Sequence, residues 1–257
     1  MIFEINLILA GLVVGICVGL TSIGLGMIQL PLLLALTTLT PSAAASVGLI
    51  QGSLMKWTGM WRSAKKKNID YSVVLPFVIL GIPFTALGVY MRSYIPADLL
   101  KSIIGITMVA MGVMLVSTTW FSQVKIRVQK IIDFCRTHKK AISIVAGIVT
   151  GFMVGLTSIG SGSFIIIVLS TVLLLPPTIA VGTNLMIGGI LVATGGIVSA
   201  ITSNINYDIV ISLLIGSIPG VLIGGKIAPK VPVKPMRITI AILVILSGLD
   251  MAFKIIK

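Results

Sequence analysis

Residues 5–55 read INLILAGLVVGICVGLTSIGLGMIQLPLLLALTTLTPSAAASVGLIQGSLM, and these 51 positions contain no Asp, Glu, Lys, Arg or His. Residues 141–207 form a second such run of 67 positions. One membrane-spanning helix needs about 20 apolar residues, so each run is long enough for at least two. Neither run has the alternation of apolar and polar residues that a transmembrane β-barrel needs. The sequence therefore predicts an all-α, polytopic integral membrane helical bundle and excludes the soluble enzyme folds.

The composition agrees with a chain that is mostly embedded in lipid. Charged residues make up 10% of the sequence, against about 25% in soluble domains. Lys and Arg number 19 and Asp and Glu number 6, which gives a net charge of +13. In membrane proteins such an excess of basic residues marks the cytoplasmic loops. The lipid bilayer is therefore an expected partner, and no nucleic-acid partner is expected.

The chain repeats itself at an offset of 136 residues. The segment VGLTSIG at 18–24 recurs at 154–160, and the same offset aligns Pro41 with Pro177. One constant offset over most of each half indicates an internal duplication, which is common in secondary transporters that bind substrate between the repeats. We predict a first transmembrane repeat at 1–120, a basic cytoplasmic linker at 121–140 that forms a short amphipathic helix, and a second transmembrane repeat at 141–257.

Each half contains three clear apolar spans behind one interrupted segment. The spans are predicted at 43–61, 72–91, 98–119, 179–200, 208–226 and 236–253. The interrupted segments run over 5–39 and 141–175. Each has two arms of about 16 residues, which is shorter than the roughly 30 Å hydrocarbon core requires. Counting each interrupted segment as one gives about eight spans.

The interrupted segments leave two topologies open. If each is a single kinked crossing, the two repeats are parallel. If each enters the membrane and returns, the repeats are inverted. Inverted repeats place 14 loop or terminal cations on one side of the membrane and 4 on the other, whereas parallel repeats place 12 against 6. Because basic residues concentrate in cytoplasmic loops, the count favours inverted repeats with both termini outside.

Both interruptions carry the motif Thr-Ser-Ile-Gly-x-Gly, at 21–26 and at 157–162. Glycine lets the backbone leave helical geometry, and irregular backbone at membrane depth is tolerated only where it is buried in protein or lines a water-filled cavity. The N–H groups and dipole of a helix that starts at such a break attract anions. Two such breaks predict a small anion site without a full positive charge.

The predicted substrate-binding residues combine the two breaks with three polar positions of the following helices. They are Thr21, Ser22, Gly24, Gly26, Thr157, Ser158, Gly160, Ser161, Gly162, Gln51, Thr183 and Asn184. Small residues also suit close packing of membrane helices, and polar ones suit hydrogen bonds between helices, so both interpretations stay open at this stage. Lys56 is expected to extend to the membrane interface, because it lies only six residues before Arg62.

No Asp, Glu or His lies deep in a predicted span. A proton-coupled carrier commonly uses such a group, and a hydrolase needs a general base or a metal-ligand cluster. We therefore expect no enzyme activity, no catalytic residues, no metal site and no cofactor. Transport of a small anion is the expected function. The alternatives are an anion channel or uniporter and a membrane assembly factor without transport. The sequence leaves a homo-oligomer open.

Three segments give the chain a resemblance to a known family. They are Gly-Leu-Thr-Ser-Ile-Gly-x-Gly at 19–26 with its copy at 155–162, Pro-x-x-Ala-x-Gly-Thr at 177–183, and Asn-Ile-x-Tyr before the third span of each half. On these motifs the chain resembles the TauE/SafE (DUF81) family of sulfite and organosulfonate exporters. The resemblance implies a multi-pass transporter of the prokaryotic inner membrane, the cell membrane, whose substrate is a small sulfur-containing anion such as sulfite or a sulfonate. We expect alternating access around the two breaks.

Overall fold

The structure is a computed structural model, and it describes residues 4–21, 25–65, 67–121, 138–203, 205–228, 231 and 233–253. Every regular element in these residues is helical, which confirms the all-α prediction for this part of the chain. The helices are α1 Ile5–Thr21, α2 Leu25–Leu36, α3 Pro41–Lys65, α4 Tyr71–Arg92, α5 Ala97–Phe121, α6 Lys139–Thr157, α7 Ser163–Ile167, a π-helical turn Val168–Val172, α8 Pro177–Thr202, α9 Tyr207–Ile227 and α10 Val233–Phe253. Most of the predicted linker helix, 122–137, lies outside the described residues.

Three pairs of helices begin at positions that differ by the sequence offset. Pro41 and Pro177 are the first residues of α3 and α8, where proline loses no helical hydrogen bond. Asp70 caps the start of α4, and its carboxylate accepts from the backbone N–H two residues on at 3.0 Å. Asn206 caps α9 in the same way at 3.1 Å. Equivalent residues therefore start equivalent helices in the two halves.

Glycines let one helix from each half touch another backbone to backbone. α1 packs along α9, and α6 packs along α4. The closest approaches are Gly11–Leu213, Gly15–Ser217 and Gly19–Val221 in the first pair and Gly147–Phe77, Gly151–Gly81 and Gly155–Thr85 in the second. At each glycine a Cβ would overlap a carbonyl oxygen of the other helix. Residue numbers rise together along both helices, so each pair is parallel.

The other two major contacts join helices that correspond to each other at the offset of 136. α5 packs against α10, and α3 packs against α8. The contacts are Gly105–Gly248 and Gly112–Ala241 in one pair and Gly59–Leu185 and Gly195–Leu49 in the other. In both pairs the residue numbers rise along one helix as they fall along the other. Corresponding helices of the two halves therefore pack antiparallel.

The interrupted segment of each half is a long helix followed by a shorter one. α1 has 17 residues and α2 has 12. α6 has 19, whereas α7 and the π-helical turn have five each. The expectation of two equal arms of about 16 residues is therefore wrong. In the second half the long arm stays helical up to Thr157, because the backbone first turns left-handed at Ser158.

Five helices of the described chain are long and apolar enough to cross a membrane. They are Tyr71–Arg92, Ala97–Ser117, Lys139–Thr157, Pro177–Thr202 and Tyr207–Ile227. Large apolar side chains such as Ile79 and Ile201 are exposed on their outer faces, where lipid would cover them. The span expected at 43–61 lies within α3, which is too polar for this set, and the span expected at 236–253 gives a shorter apolar helix, Ile238–Phe253. The total of about eight spans stays a prediction.

Candidate functional site

The second interruption is a buried turn between α6 and α7. Ser158 adopts a left-handed backbone conformation with a φ of 62°, and Gly160 has a φ of 97°. This region costs a residue with a Cβ about 1 kcal/mol or more, so Ser158 stays there only because its surroundings hold it. The Thr157 hydroxyl contributes, since it donates to the Met153 carbonyl at 2.8 Å and accepts from the Ile159 N–H at 3.2 Å.

The first half of the chain surrounds this turn. Gly26, the second residue of α2, lies directly against the backbone of Ser158 and Ile159, and a Cβ on it would overlap the Ser158 carbonyl. From α3, a Cβ built on Gly48 would lie 3.1 Å from the Ser158 hydroxyl and 3.8 Å from the amide nitrogen of Gln29. The start of α2 and the middle of α3 thus enclose the turn between α6 and α7.

Two glutamines join α2 to α3 beside the turn. The amide of Gln29 donates to the side-chain oxygen of Gln51, and both side chains are buried. The Gln51 amide nitrogen lies 3.6 Å from the sulfur of Met55, whereas Gln29 Oε1 has no hydrogen-bond partner among the described residues. Gln51 is one of the predicted substrate-binding residues, whereas Gln29 is not. The available signal was an amide in the middle of the apolar arm that forms α2.

Lys56 of α3 is the cation of this turn. Its side chain is only 2% exposed, and its ammonium donates to the Ser161 carbonyl oxygen. Gly188 of α8 makes room for the contact, because a Cβ there would overlap both atoms. The expectation that Lys56 extends to the membrane interface is therefore wrong. The second break therefore has a buried lysine in contact with it, whereas the sequence predicts a site without a cation.

Several buried polar atoms around the turn lack partners within the described residues. They are the hydroxyl of Ser158 and both amide atoms of Asn184, besides the Gln29 oxygen. Asn184 lies one helical turn before Gly188, on the same face of α8. Thr183 differs from its neighbour, because its hydroxyl accepts from the Asp70 N–H at 2.9 Å and holds the loop ahead of α4. Buried polar groups nearly always find partners, so this cluster has unused capacity to bind a ligand.

A second buried cation lies at the end of α4. Arg92 is 1% exposed, and its terminal nitrogens donate to the Ser46 hydroxyl at 2.8 Å, the Ser199 hydroxyl at 3.1 Å and the Gly155 carbonyl at 3.3 Å. Arg92 is one of the four cations that the count for inverted repeats places on the less basic side, as a loop residue. That assignment is wrong, because α4 continues through Arg92 and the side chain turns inward between α3, α6 and α8. Removing it from the loop count strengthens the bias towards inverted repeats.

The opposite end of α4 carries an ion pair. Lys139 Nζ lies 2.8 Å from Asp70 Oδ2 and also donates to the Ser72 hydroxyl. Partial burial raises the pKa of Asp70, but hydrogen bonds from Lys139 and Ser72 and the charge of Lys139 outweigh it and hold that pKa below its ordinary value. Among the described residues this is the only carboxylate–cation pair, so neither Lys56 nor Arg92 has a carboxylate partner there.

Most of the residues predicted at the second break therefore come together. The predicted residues at the turn are Gly26, Thr157, Ser158, Gly160, Ser161 and Gly162. Gln51 is joined to Gln29 beside it, and Asn184 lies one helical turn before Gly188 on α8. Thr183 points to the loop ahead of α4 instead. Ser22 and Gly24, together with the side chain of Thr21, lie outside the described residues.

The groups around the turn suit an anion with oxygen atoms. An ammonium offers three N–H donors, an Asn amide two and a hydroxyl one, and no carboxylate of the described chain lies among them. Within the same residues, no group of three or more His, Cys, Asp or Glu side chains could hold a metal ion. The donors at the turn are thus of the kind that bind oxyanions: one ammonium and several neutral N–H and O–H groups.

Comparison with known proteins gives the chain a family. The sequence matches the family model described as "Sulfite exporter TauE/SafE" over residues 7–251. It is 31% identical over 254 residues to the "Probable membrane transporter protein YjnA" of Bacillus subtilis (strain 168), which covers 96% of this chain and 99% of that protein. It is 28% identical over 262 residues to the "Probable membrane transporter protein MJ0441" of Methanocaldococcus jannaschii, which covers 95% and 94%. No solved structure gives a significant match.

The family match extends from α1 to α10 and so includes both halves of the chain. The relatives are named as membrane transporters, and the apolar helices of the described chain agree with a multi-pass membrane protein. The chain therefore belongs to the sulfite exporter TauE/SafE family of membrane transporters.

Proposed function

We propose that the protein is a secondary transporter of a small sulfur-containing anion, such as sulfite or a sulfonate, in the prokaryotic cell membrane. The observation that carries the proposal is the buried turn at Ser158, where Lys56, Gln29 and Asn184 surround irregular backbone inside an apolar bundle. Backbone of this kind is tolerated in a membrane where it is protein-buried or lines a wet cavity, and an ionisable group at such depth marks substrate pathways. Family membership supports the sulfur chemistry of the substrate.

The two halves are proposed to be inverted repeats, at 1–120 and 141–257, with the basic linker between them on the cytoplasmic side. Corresponding helices pack antiparallel in two places, α3 against α8 and α5 against α10. A two-fold relation that reverses helix direction needs an axis that runs across the helices, and therefore in the membrane plane. This is the symmetry of inverted-repeat transporters, and the distribution of basic loops supports the same topology.

The helix directions also support two re-entrant arms at the start of each half. α9 follows α8 after only four residues and runs in the opposite direction. Because α1 is parallel to α9, and α3 is antiparallel to α8, α1 and α3 point in the same direction. α2 lies between α1 and α3 in the sequence, so the chain must return through α2 to the side on which α1 began. The same reasoning applies to α6, the short arm after it, and α8.

Substrate is proposed to bind where the halves meet, and rocking of one half against the other would expose it to each side in turn. Ser158, Ser161, Gln51 and Asn184 supply polar groups, while the small residues of the turn leave space. The remaining members of the proposed site are Thr21, Ser22, Gly24, Gly26, Thr157, Gly160 and Gly162, with Thr183 fixing the neighbouring loop.

The test is uptake of labelled sulfite into proteoliposomes of the purified protein, with sulfate and acetate as competitors and with or without a Na⁺ or pH gradient. The proposal predicts saturable flux that unlabelled sulfite suppresses, and the gradient dependence identifies the coupling ion. Flux that rises without saturation would favour an anion channel or uniporter. Absence of sulfite flux from folded protein, in every gradient, contradicts the proposed substrate.

A further inference from the structure

We propose that Lys56 is the fixed cation of this anion site and that the site therefore accepts singly charged oxyanions in preference to doubly charged ones. The inference rests on the proposed function and deepens it by assigning the charge of the substrate. It also assigns a role to a residue that spacing along the sequence had suggested would reach the membrane interface. Three observations carry it: the burial of Lys56, its unused donors and the different surroundings of Arg92.

The burial of Lys56 is the first observation. A charge taken out of water is costly unless it is paired. The carboxylates of the described chain lie in loops or near helix ends, at Glu4, Asp70, Asp98, Asp208 and Asp250, and the ion pair found among them belongs to Lys139. The described part of the protein thus offers Lys56 a carbonyl dipole but no counter-charge. An anionic substrate at the turn would supply it.

The unused donors of Lys56 are the second observation. One of its three N–H donors goes to the Ser161 carbonyl, and no other acceptor contacts the ammonium within the described residues. Gly188 lies directly against this contact, since a Cβ there would overlap both the ammonium and the Ser161 carbonyl oxygen. The unpartnered atoms of Ser158 and Asn184 belong to the same turn and to the same face of α8. An oxyanion at this place would receive a charged donor from the first half and neutral donors from the second half.

Arg92 is surrounded differently. Its terminal nitrogens already donate to two hydroxyls and to the Gly155 carbonyl. That carbonyl belongs to the last turn of α6, where the helix dipole places a partial negative charge that offsets the guanidinium. Arg92 therefore connects four helices through its terminal nitrogens, and only its Nε lacks a partner among the described residues. Lys56, with a single contact to a carbonyl, is the cation at the turn that an anion would neutralise. One negative charge neutralises Lys56, whereas a second would be left unpaired in a low-dielectric interior.

Only the first half of the chain supplies a lysine at this position. The residue at the offset of 136 from Lys56 is Val192, which is fully buried. The duplication therefore gives one cationic position rather than two, and the site should bind a single anion per protein molecule.

The first test needs no variant. Wild-type proteoliposomes exchange labelled sulfite in the presence of methanesulfonate or sulfate. These competitors share a tetrahedral sulfur with oxygen atoms but carry one and two negative charges. The inference predicts that methanesulfonate inhibits at concentrations at least about tenfold lower than sulfate, because a second unpaired charge would cost more than one factor of ten. Equal inhibition, or stronger inhibition by sulfate, overturns the charge preference.

The second test assigns the preference to Lys56. We expect Lys56→Gln to raise the sulfite concentration at half-maximal exchange by at least about 30-fold, the loss seen when one partner of a buried charge pair is removed. The variant should also lose the discrimination between the competitors. Lys65→Gln removes an exposed lysine from the same helix and should change neither. A folded Lys56→Gln protein with wild-type affinity and discrimination overturns the role of Lys56.

Failure of the transport proposal is distinguishable from failure of this inference. If the wild-type protein carries no sulfite, the proposed function fails, and binding then decides the inference. Methanesulfonate should raise the melting temperature of the wild-type protein and leave that of Lys56→Gln unchanged. If both proteins respond alike, or neither responds, the inference fails as well.

Discussion

The two halves of the protein share their packing contacts but differ in the side chains around the second break. Gly15 touches α9 where its counterpart Gly151 touches α4. Around the turn, by contrast, four polar side chains occur in only one half. At the offset of 136 the counterparts of Gln29, Gln51 and Lys56 are the apolar residues Ile165, Ile187 and Val192. The counterpart of Asn184 is Gly48. The comparison teaches that a symmetric scaffold, held by backbone contacts, carries one asymmetric site.

The largest expected effect comes from breaking the shared scaffold. Gly15→Leu and Gly151→Leu each place a side chain where a Cβ alone would overlap the facing carbonyl. Each should lower the free energy of unfolding by about 3 kcal/mol or more, measured by thermal unfolding in detergent. Gly189→Ala is the control, because its Cβ would meet the nearest atom at 3.7 Å. Severe damage from only one of the two leucine variants would contradict a scaffold shared by both halves.

A change at the turn should remove transport and leave the fold. Ser158→Leu fills the space beside Gly48 and should reduce sulfite flux to the background of empty liposomes, as should Ser22→Leu at the first break. Ser158→Gly keeps the left-handed backbone without strain and should retain measurable flux, with a loss of several-fold from the missing hydroxyl. The measurement is proteoliposome uptake with protein recovery checked by size exclusion. Normal flux through Ser158→Leu would remove the turn from the site.

Replacing one polar residue by its counterpart from the other half sharpens the comparison. Gln51→Ile leaves the buried amide of Gln29 without its acceptor, at a cost of about 1–3 kcal/mol, and should lower flux about tenfold. Ile187→Val is a conservative change at the corresponding position of the second half. It should cost about 1 kcal/mol and leave flux unchanged. Unfolding and uptake are measured on the same preparations. Equal loss of flux in the two variants would mean that the site is not asymmetric.

The smallest expected effect compares the two helix caps, and it depends on pH. The pKa of Asp70 is lower in the folded protein than its ordinary value of about 3.9, because Lys139 and Ser72 outweigh partial burial. Its contribution is therefore present above the ordinary pKa and is lost as the pH falls through the lowered one. Asp70→Asn should cost about 0.5 kcal/mol near neutral pH and nothing below the lowered pKa.

Asn206→Ala is the control for that pH dependence. It removes an uncharged cap from α9 and should cost about 1 kcal/mol over the same pH range. Thermal unfolding of both variants and the wild-type protein, from neutral to acidic pH, gives the comparison. A cost of Asp70→Asn that persists in acid would mean that the ion pair with Lys139 contributes nothing.

The sequence predicted the parts of the fold that depend on spacing. The constant offset predicted three pairs of corresponding helix starts, and the glycines at 160–162 lie in the described turn between α6 and α7. The spacing gave a wrong prediction for Lys56. Its short distance from the helix end suggested that the side chain reaches the membrane interface, but it is buried. Its burial depends on Gly188, more than a hundred residues away, and only tertiary packing of α3 on α8 brings the two together.

The same limit explains the other misjudged side chains. Arg92 looked like a loop cation because it precedes a turn, yet its partners come from three other helices. Gln29 gave only a weak signal, since one amide in an apolar arm is common at helix interfaces. Thr183 and Asn184 are neighbours in sequence, but α8 points them in different directions. Thr183 binds the loop ahead of α4, whereas the amide of Asn184 has no partner among the described residues.

The most direct test of the central claim, an anion site at the turn where the halves meet, is the reactivity of a cysteine at position 158. Ser158→Cys is made in a protein whose Cys17 and Cys135 are replaced by alanine, and a small, charged, water-soluble thiol reagent is applied. Thr150→Cys, at a fully buried position of α6, is the control and should stay unreactive. The account predicts that the cysteine at 158 reacts and that saturating methanesulfonate slows the reaction at least about tenfold, while acetate does not. A cysteine at 158 as unreactive as the control, or a reaction rate that methanesulfonate leaves unchanged, would contradict the account.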